Sequence, residues 1–124
     1  MLLSDITEKV IGASIRVHKE PGPGLLESAY QEYLFFYVLN KEGLIVEKEK
    51  PIPVSFEDIK LDCGYRIDLL VEKKLILEIK SVEHFSPVHY AQVLTYLKLG
   101  GFKLWLLLNF NVPLMKKGIK RIIN

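Results

Sequence analysis

The chain has 124 residues and a single cysteine, Cys63, so no internal disulfide framework can form. Small oxidised domains usually carry several cysteines, so a lone one fits a reducing compartment. Long apolar runs are also missing. Leu104 to Leu108 falls far short of the roughly 18 to 20 residues a membrane-spanning helix requires. The opening MLLSDITEKV has neither a basic stretch nor an extended apolar core, so no secretory signal is expected. Neither sign of charge dominates. Lys plus Arg is 17 and Asp plus Glu is 15, a net charge of +2. That balance excludes a histone-like polycation and an acidic tail protein, while leaving room for a local basic groove. Repeats and low-complexity segments are absent. Hydrophobic residues make up 49% of the chain and charged residues 26%. This is enough apolar material for a core and excludes disorder of the whole chain. At a prior of ~150 residues per domain, residues 1–124 are expected to form one domain, soluble and cytoplasmic, with no membrane partner.

Apolar spacing sets the expected elements. Ile6, Val10, Ile11, Ser14 and Val17 predict a first helix, capped by Ser4 or Asp5 with Glu8 in capping-box spacing. It must stop near Glu20, before Pro21-Gly22-Pro23-Gly24. A second helix is expected from about Leu25 to Asn40, with Leu26, Tyr30, Tyr33, Leu34 and Tyr37 as its apolar stripe. The period then changes. Ile45 to Lys50, Ile52 to Phe56, Tyr65 to Val71 and Leu75 to Val82 read as strands, with turns at Glu57-Asp58 and Glu72-Lys73-Lys74. Ser86 and Pro87 open a third helix, which ends at Gly100-Gly101. Lys103 to Asn109 is a nearly unbroken apolar run, the pattern of a buried central strand. In the tail, Ile119, Ile122 and Ile123 suit a short strand or helix packed on the core. The expected class is α/β, a mixed central sheet flanked by helices in the order α-α-β-β-β-β-α-β.

Residues 65 to 83, YRIDLLVEKKLILEIKSVE, carry the most chemistry. With the turn at 72 to 74, Val71 faces Leu75, Asp68 lies opposite Glu78 and Arg66 lies opposite Lys80. Opposed residues share a face, as do residues two apart on one strand. One face then carries Arg66, Asp68, Leu70, Ile76, Glu78 and Lys80. The other carries Tyr65, Ile67, Leu69, Val71, Leu75, Leu77 and Ile79, all core. Two opposed carboxylates repel, and one would be driven toward protonation. A hard divalent cation resolves the conflict by accepting carboxylate oxygens while keeping several waters. Lys80 lies ~6.6 Å along the strand from Glu78, within reach of such a water or of a phosphate. Metal, water and ammonium are the parts needed to hydrolyse a phosphodiester. The same spacing also fits a solvated face of cross-strand ion pairs.

Asp68 followed by Glu78-Ile79-Lys80 resembles the D…(D/E)xK core of the PD-(D/E)XK nuclease superfamily. Gly24-Leu25-Leu26-Glu27-Ser28-Ala29-Tyr30 is similar to the motif that names its GxxExxY branch. Gln92 to Tyr96 resembles the Q-x-x-x-Y helix of recombination-exonuclease nuclease domains, and Asn109-Phe110-Asn111-Val112-Pro113 looks typical of GxxExxY proteins. The proline of the superfamily name is absent, since Ile67 precedes Asp68. The resemblance implies a restriction-endonuclease-like core and a Mg²⁺- or Mn²⁺-dependent nuclease acting on nucleic acid, DNA being the expected substrate. A catalytically inactive module that binds nucleic acid or a protein is the alternative. It implies Asp68, Glu78 and the Ile79 carbonyl as metal ligands, with Glu27 joining directly or through water. Lys80 would position or activate the attacking water. Gln92 and Tyr96 would orient Lys80, the metal waters or the nucleic-acid backbone.

Other residues have simpler explanations. Glu27 also suits a helix N-terminus through the macrodipole alone. Tyr30 lies on an apolar stripe and is expected in the core, and the other aromatics of Tyr30 to Tyr37 fit core spacing better than a base-stacking surface. His18, His84 and His89 lack zinc-ligand spacing. His18 suits a packed or capping position. His89, three residues before Gln92, suits either a phosphate contact or a partly exposed helix surface. Cys63 has no base partner and is expected to be inert. No phosphate-loop pattern occurs. Lys116, Lys117, Lys120 and Arg121 fit phosphate contacts or a solvated surface. A chain this small has little surface around a cleft, which favours a homodimer.

Overall fold

A computed structural model describes residues 1–52, 54–61 and 65–124. Cys63 lies outside the described residues. The first helix, α1, spans Leu3–Lys19. Its N-cap is Leu2, with no side-chain cap bond, so the expected Ser4 or Asp5 cap does not form. Asp5 sits instead inside the first turn, where its charge opposes the helix dipole's positive end. The helix closes where Gly22, at φ 65°, donates its N–H to the His18 carbonyl at 2.8 Å. Helix α2 spans Glu27–Asn40, two residues later than expected, because Leu26 is extended at its N-cap. Its buried stripe is Tyr30, Leu34 and Val38. Leu26 and Tyr33, expected inward, are 76% and 61% exposed. The stripe that meets the sheet follows strict i, i+4 spacing and leaves these two on the flank.

Among the described residues seven strands follow: β1 (Val46–Pro51), β2 (Val54–Phe56), β3 (Ile59–Leu61), β4 (Arg66–Val71), β5 (Leu75–Lys80), β6 (Leu104–Asn109) and β7 (Ile119–Ile123). Helix α3, Pro87–Gly100, connects β5 to β6. Ser86 caps it by accepting the Val88 N–H, and Gly101 ends it in the left-handed conformation, as the sequence predicts. A five-stranded sheet runs β1-β4-β5-β6-β7, and β2 and β3 form a separate antiparallel ribbon. Only the β5–β6 pair is parallel within the larger sheet, as a helical crossover requires. Both hairpin turns, at Glu57-Asp58 and Glu72-Lys73, use two consecutive positive-φ residues, the geometry that matches strand twist. The tail resolves into a 3₁₀ turn, Met115–Gly118, and the edge strand β7.

Helices cover both faces of the sheet. On one, Ile6, Val10, Tyr30 and Leu34 pack against Leu69, Leu75, Leu77 and Ile79. On the other, Val93 and Leu97 of α3 pack against Ile67, Leu70, Ile76, Trp105 and Leu107. Strand β6 is buried at every position, as its unbroken apolar run implies. The β4–β5 hairpin is therefore covered on both sides, with Glu78 buried and Asp68 half-buried.

Candidate active site

The β4–β5 ladder begins in the expected register: Val71 pairs with Leu75, Leu70 with Ile76 and Leu69 with Leu77. The next rung, Asp68 opposite Glu78, does not form. Asp68 Oδ2 instead accepts the Ile79 N–H at 2.8 Å, so a side chain stands where main chain would pair. On the other side of β4, Glu49 adopts φ 56°, while Lys48 and Lys50 keep register with Leu69 and Ile67. No residue is inserted, so this is a kink rather than a bulge. The strands part here. On the β5 side no Arg66–Lys80 rung forms; on the β1 side Arg66 pairs with Pro51, and its guanidinium donates to the Glu49 carbonyl at 2.7 Å.

The kink also breaks the alternation of faces. Ile67 joins Leu70 and Ile76 in the core beneath α3, and Tyr65 packs there too, while Leu69 and Val71 face α1 and α2. Tyr65 and Ile67 were expected opposite Glu78, and they share its face. Glu78 is 2% exposed, and four donors surround its carboxylate. Tyr65 OH donates to Oε2 at 2.5 Å and Trp105 Nε1–H to Oε1 at 3.2 Å. His89 Nε2 lies 3.2 Å from Oε1, and Lys80 Nζ lies 3.5 Å from Oε2. A buried charge persists only when partnered this way. Burial and the Glu78 carboxylate push the Tyr65 hydroxyl well above its ordinary range, so it stays a donor.

Asp68 is held differently. Burial, reinforced by the charges of Glu78 and Glu49, pushes its carboxyl up to about 6; the Ile79 N–H and Lys80 pull the other way. A half-buried carboxyl short of positive charge, beside a second carboxylate, is a donor set that a hard cation would complete. Lys80 gives its carbonyl to Phe110 on the β6 side. Alternation along the strand therefore turns the Ile79 carbonyl, like its N–H, toward Asp68. Among the described residues no three His, Cys, Asp or Glu side chains gather into a metal cluster. Asp68, the Ile79 carbonyl and Glu78 are the oxygen groups here that could hold a hard divalent cation.

Glu27 reaches the same place from α2, where its Oε2 accepts the Ser81 N–H at 3.0 Å just past β5. Tyr30 is fully buried, as expected. Its hydroxyl donates to the Gly22 carbonyl and accepts the Leu25 N–H, tying down the loop that leads into Glu27. Tyr96 meets the site at one remove, its ring 5.4 Å from that of Tyr65. Gln92 is exposed on the same stripe of α3 and makes no hydrogen bond to these residues among those described. His18 is buried, with Nε2 2.8 Å from the Val112 carbonyl, the packed role its position suggested. Tyr65, Trp105 and His89 are the partners of Glu78 that sequence reasoning missed or left open. A signal existed for Trp105, because an indole N–H inside an apolar strand needs a buried acceptor.

No curated protein and no solved structure matches the chain significantly. No helix among the described residues is long and apolar enough to cross a membrane. Compared with protein-family models, the sequence matches that of the PD-(D/E)XK nuclease superfamily over residues 4–122. The helices on both faces, the mixed sheet and the acidic pair followed by lysine at the parting of β4 and β5 agree with that match, and the chain belongs to the PD-(D/E)XK nuclease superfamily.

Proposed function

We propose that the protein is a Mg²⁺- or Mn²⁺-dependent nuclease that hydrolyses phosphodiester bonds of nucleic acid, DNA foremost. The observation that supports this is that, where β4 and β5 separate, Asp68 accepts the Ile79 N–H while Lys80 lies beside the Glu78 carboxylate. Asp68, Glu78 and the Ile79 carbonyl would hold the cation, with Glu27 reaching it through water. Such an ion, when bound, polarises the phosphoryl oxygen and lowers the pKa of coordinated water. The chain's own residues do the rest. Lys80 places a fixed positive charge beside the reacting phosphate and orients the attacking water. Tyr65, Trp105 and His89 hold the Glu78 carboxylate in one orientation. Tyr96 supports Tyr65, and Gln92 faces outward, available to the nucleic-acid backbone.

The test uses the purified chain with Mn²⁺ or Mg²⁺ and single- and double-stranded DNA. Lys80→Ala should cut more slowly by ~10² or more, while calorimetry shows Mn²⁺ binding retained. Asp68→Asn should lose both. Cleavage by Lys80→Ala at the parent's rate would remove that residue from the chemistry. A parent that binds DNA in a salt-sensitive way, yet neither binds Mn²⁺ nor cuts, would be a binding module on a nuclease fold.

A further inference from the structure

The sheet edge that carries the acidic pair continues past it. Strands β5 and β6 are parallel and end at the same edge, and β7 begins there. Glu78 pairs with Leu107, and Leu107 with Lys120, so the three form one row across the sheet. Leu107 and Ile122 lie in the core beneath α3, which puts the whole row on that face. Two strand spacings of about 4.8 Å place the Lys120 backbone roughly 10 Å from that of Glu78. Above the far end of this row opens a cavity of about 370 Å³, walled by Phe85, Tyr90, Leu107 and Lys120.

Its walls have a specific chemistry. Tyr90 is 38% exposed, and the Lys120 ammonium lies 4.9 Å from its ring centroid. Lys120 forms no salt bridge among the described residues. Lys116 and Lys117, on the 3₁₀ turn before β7, are exposed at the same edge. The cavity neighbours the acidic site: the ring of Phe85, on its wall, lies parallel to that of His89 with centroids 6.4 Å apart, and His89 contacts Glu78. Aromatic walls with lysines beside them match a flat base joined to a phosphate.

We propose that this cavity holds one unpaired base next to the scissile phosphate, stacked on Tyr90, with Lys120 contacting the adjoining phosphate. The preferred ligand is then a single strand, because a base within a duplex enters only at the cost of unstacking and unpairing. The inference deepens the nuclease reading, on which it rests, by naming the form of the substrate.

Binding without catalysis separates the two ideas. A fluorescent oligodeoxythymidylate is titrated with the full chain in EDTA, read by anisotropy over a range of salt. The parent is expected to prefer the single strand to a duplex of equal length. Tyr90→Ala should weaken binding at least fivefold, from the loss of one stacked base, while Tyr90→Phe keeps it. Neither change should alter affinity for a wholly abasic strand. Lys120→Ala should weaken binding to both strands and lower the salt slope by about 0.7. Parent-like binding by Tyr90→Ala, equal losses on the abasic strand, or a preference for duplex would each overturn the proposal. Loss of cleavage activity with these binding results intact would instead overturn the nuclease reading alone.

Discussion

Asp68→Asn should change the pH dependence of stability in the metal-free protein, in a direction opposite to most carboxylates. The Asp68 carboxyl is pushed up to about 6, chiefly by burial and next by the Glu78 charge, against roughly 3.9 in an unfolded chain. The folded state therefore holds its proton more tightly than the unfolded state. Stability from this group is fully present below about pH 4, declines as pH rises through 6, and is gone above it. Two units correspond to roughly 3 kcal/mol, and solvent screening at a half-buried site reduces this to about 1–2 kcal/mol. Asparagine mimics the protonated form, so parent and variant should differ by a constant below about pH 3. The parent should then lose about 1–2 kcal/mol relative to the variant by pH 6.5 and nothing further to pH 8. Urea melts in EDTA at several pH values measure this difference, in which all other titrating groups cancel. A difference that stays flat, or that moves in the parent's favour as pH rises, would refute the account of Asp68. Mn²⁺ at pH 7.5 should then restore the parent and leave the variant unchanged.

Trp105→Phe removes the indole donor to a buried carboxylate, and should cost about 2–3 kcal/mol in urea melts. Tyr30→Phe removes both bonds that its hydroxyl makes to the loop at Gly22 and Leu25. It should cost about 1–2 kcal/mol and slow cleavage as well, because that loop leads into Glu27. Gly118→Ala places a methyl group 2.0 Å from the Asn109 carbonyl, main chain that cannot turn aside. It should destabilise by about 3 kcal/mol, read as a fall in melting temperature of roughly 10 °C or more, whereas Gly12→Ala, with open space around it, should not.

The legible parts of the sequence were those governed by local rules. Ser86-Pro87 and Gly100-Gly101 bracket α3 because capping chemistry depends on neighbours alone. The unbroken apolar run 104–108 marks a strand covered on both sides. The turn at 72 to 74 fixed the pairing from Val71–Leu75 to Leu69–Leu77. What lay beyond was decided by contacts distant in sequence. The kink at Glu49 uses a left-handed backbone on a residue with no preference for it, so nothing in the sequence announces it. Asp68 therefore bonds the Ile79 main chain instead of standing opposite Glu78, and Tyr65 changes face. The acidic motif was readable. Its burial and the three side chains that clasp Glu78 were not, because they depend on α3 lying across the sheet. Leu26 and Tyr33 counted as inward because apolar spacing on a helix says which residues can be buried, not how wide the covered arc is.

Helix α2 is fastened at two places that lie on either side of β4. Gln31 bonds Glu49 at 3.0 Å and Glu32 bridges to Lys48 at 3.1 Å, both on β1, while Glu27 holds the main chain just beyond β5. The strand that bears Asp68 thus runs beneath a rod anchored to its two neighbours. One helix thus ties β1 to the main chain past β5 across the strand between them, so a change at either end is carried to Glu27 through a single rigid element.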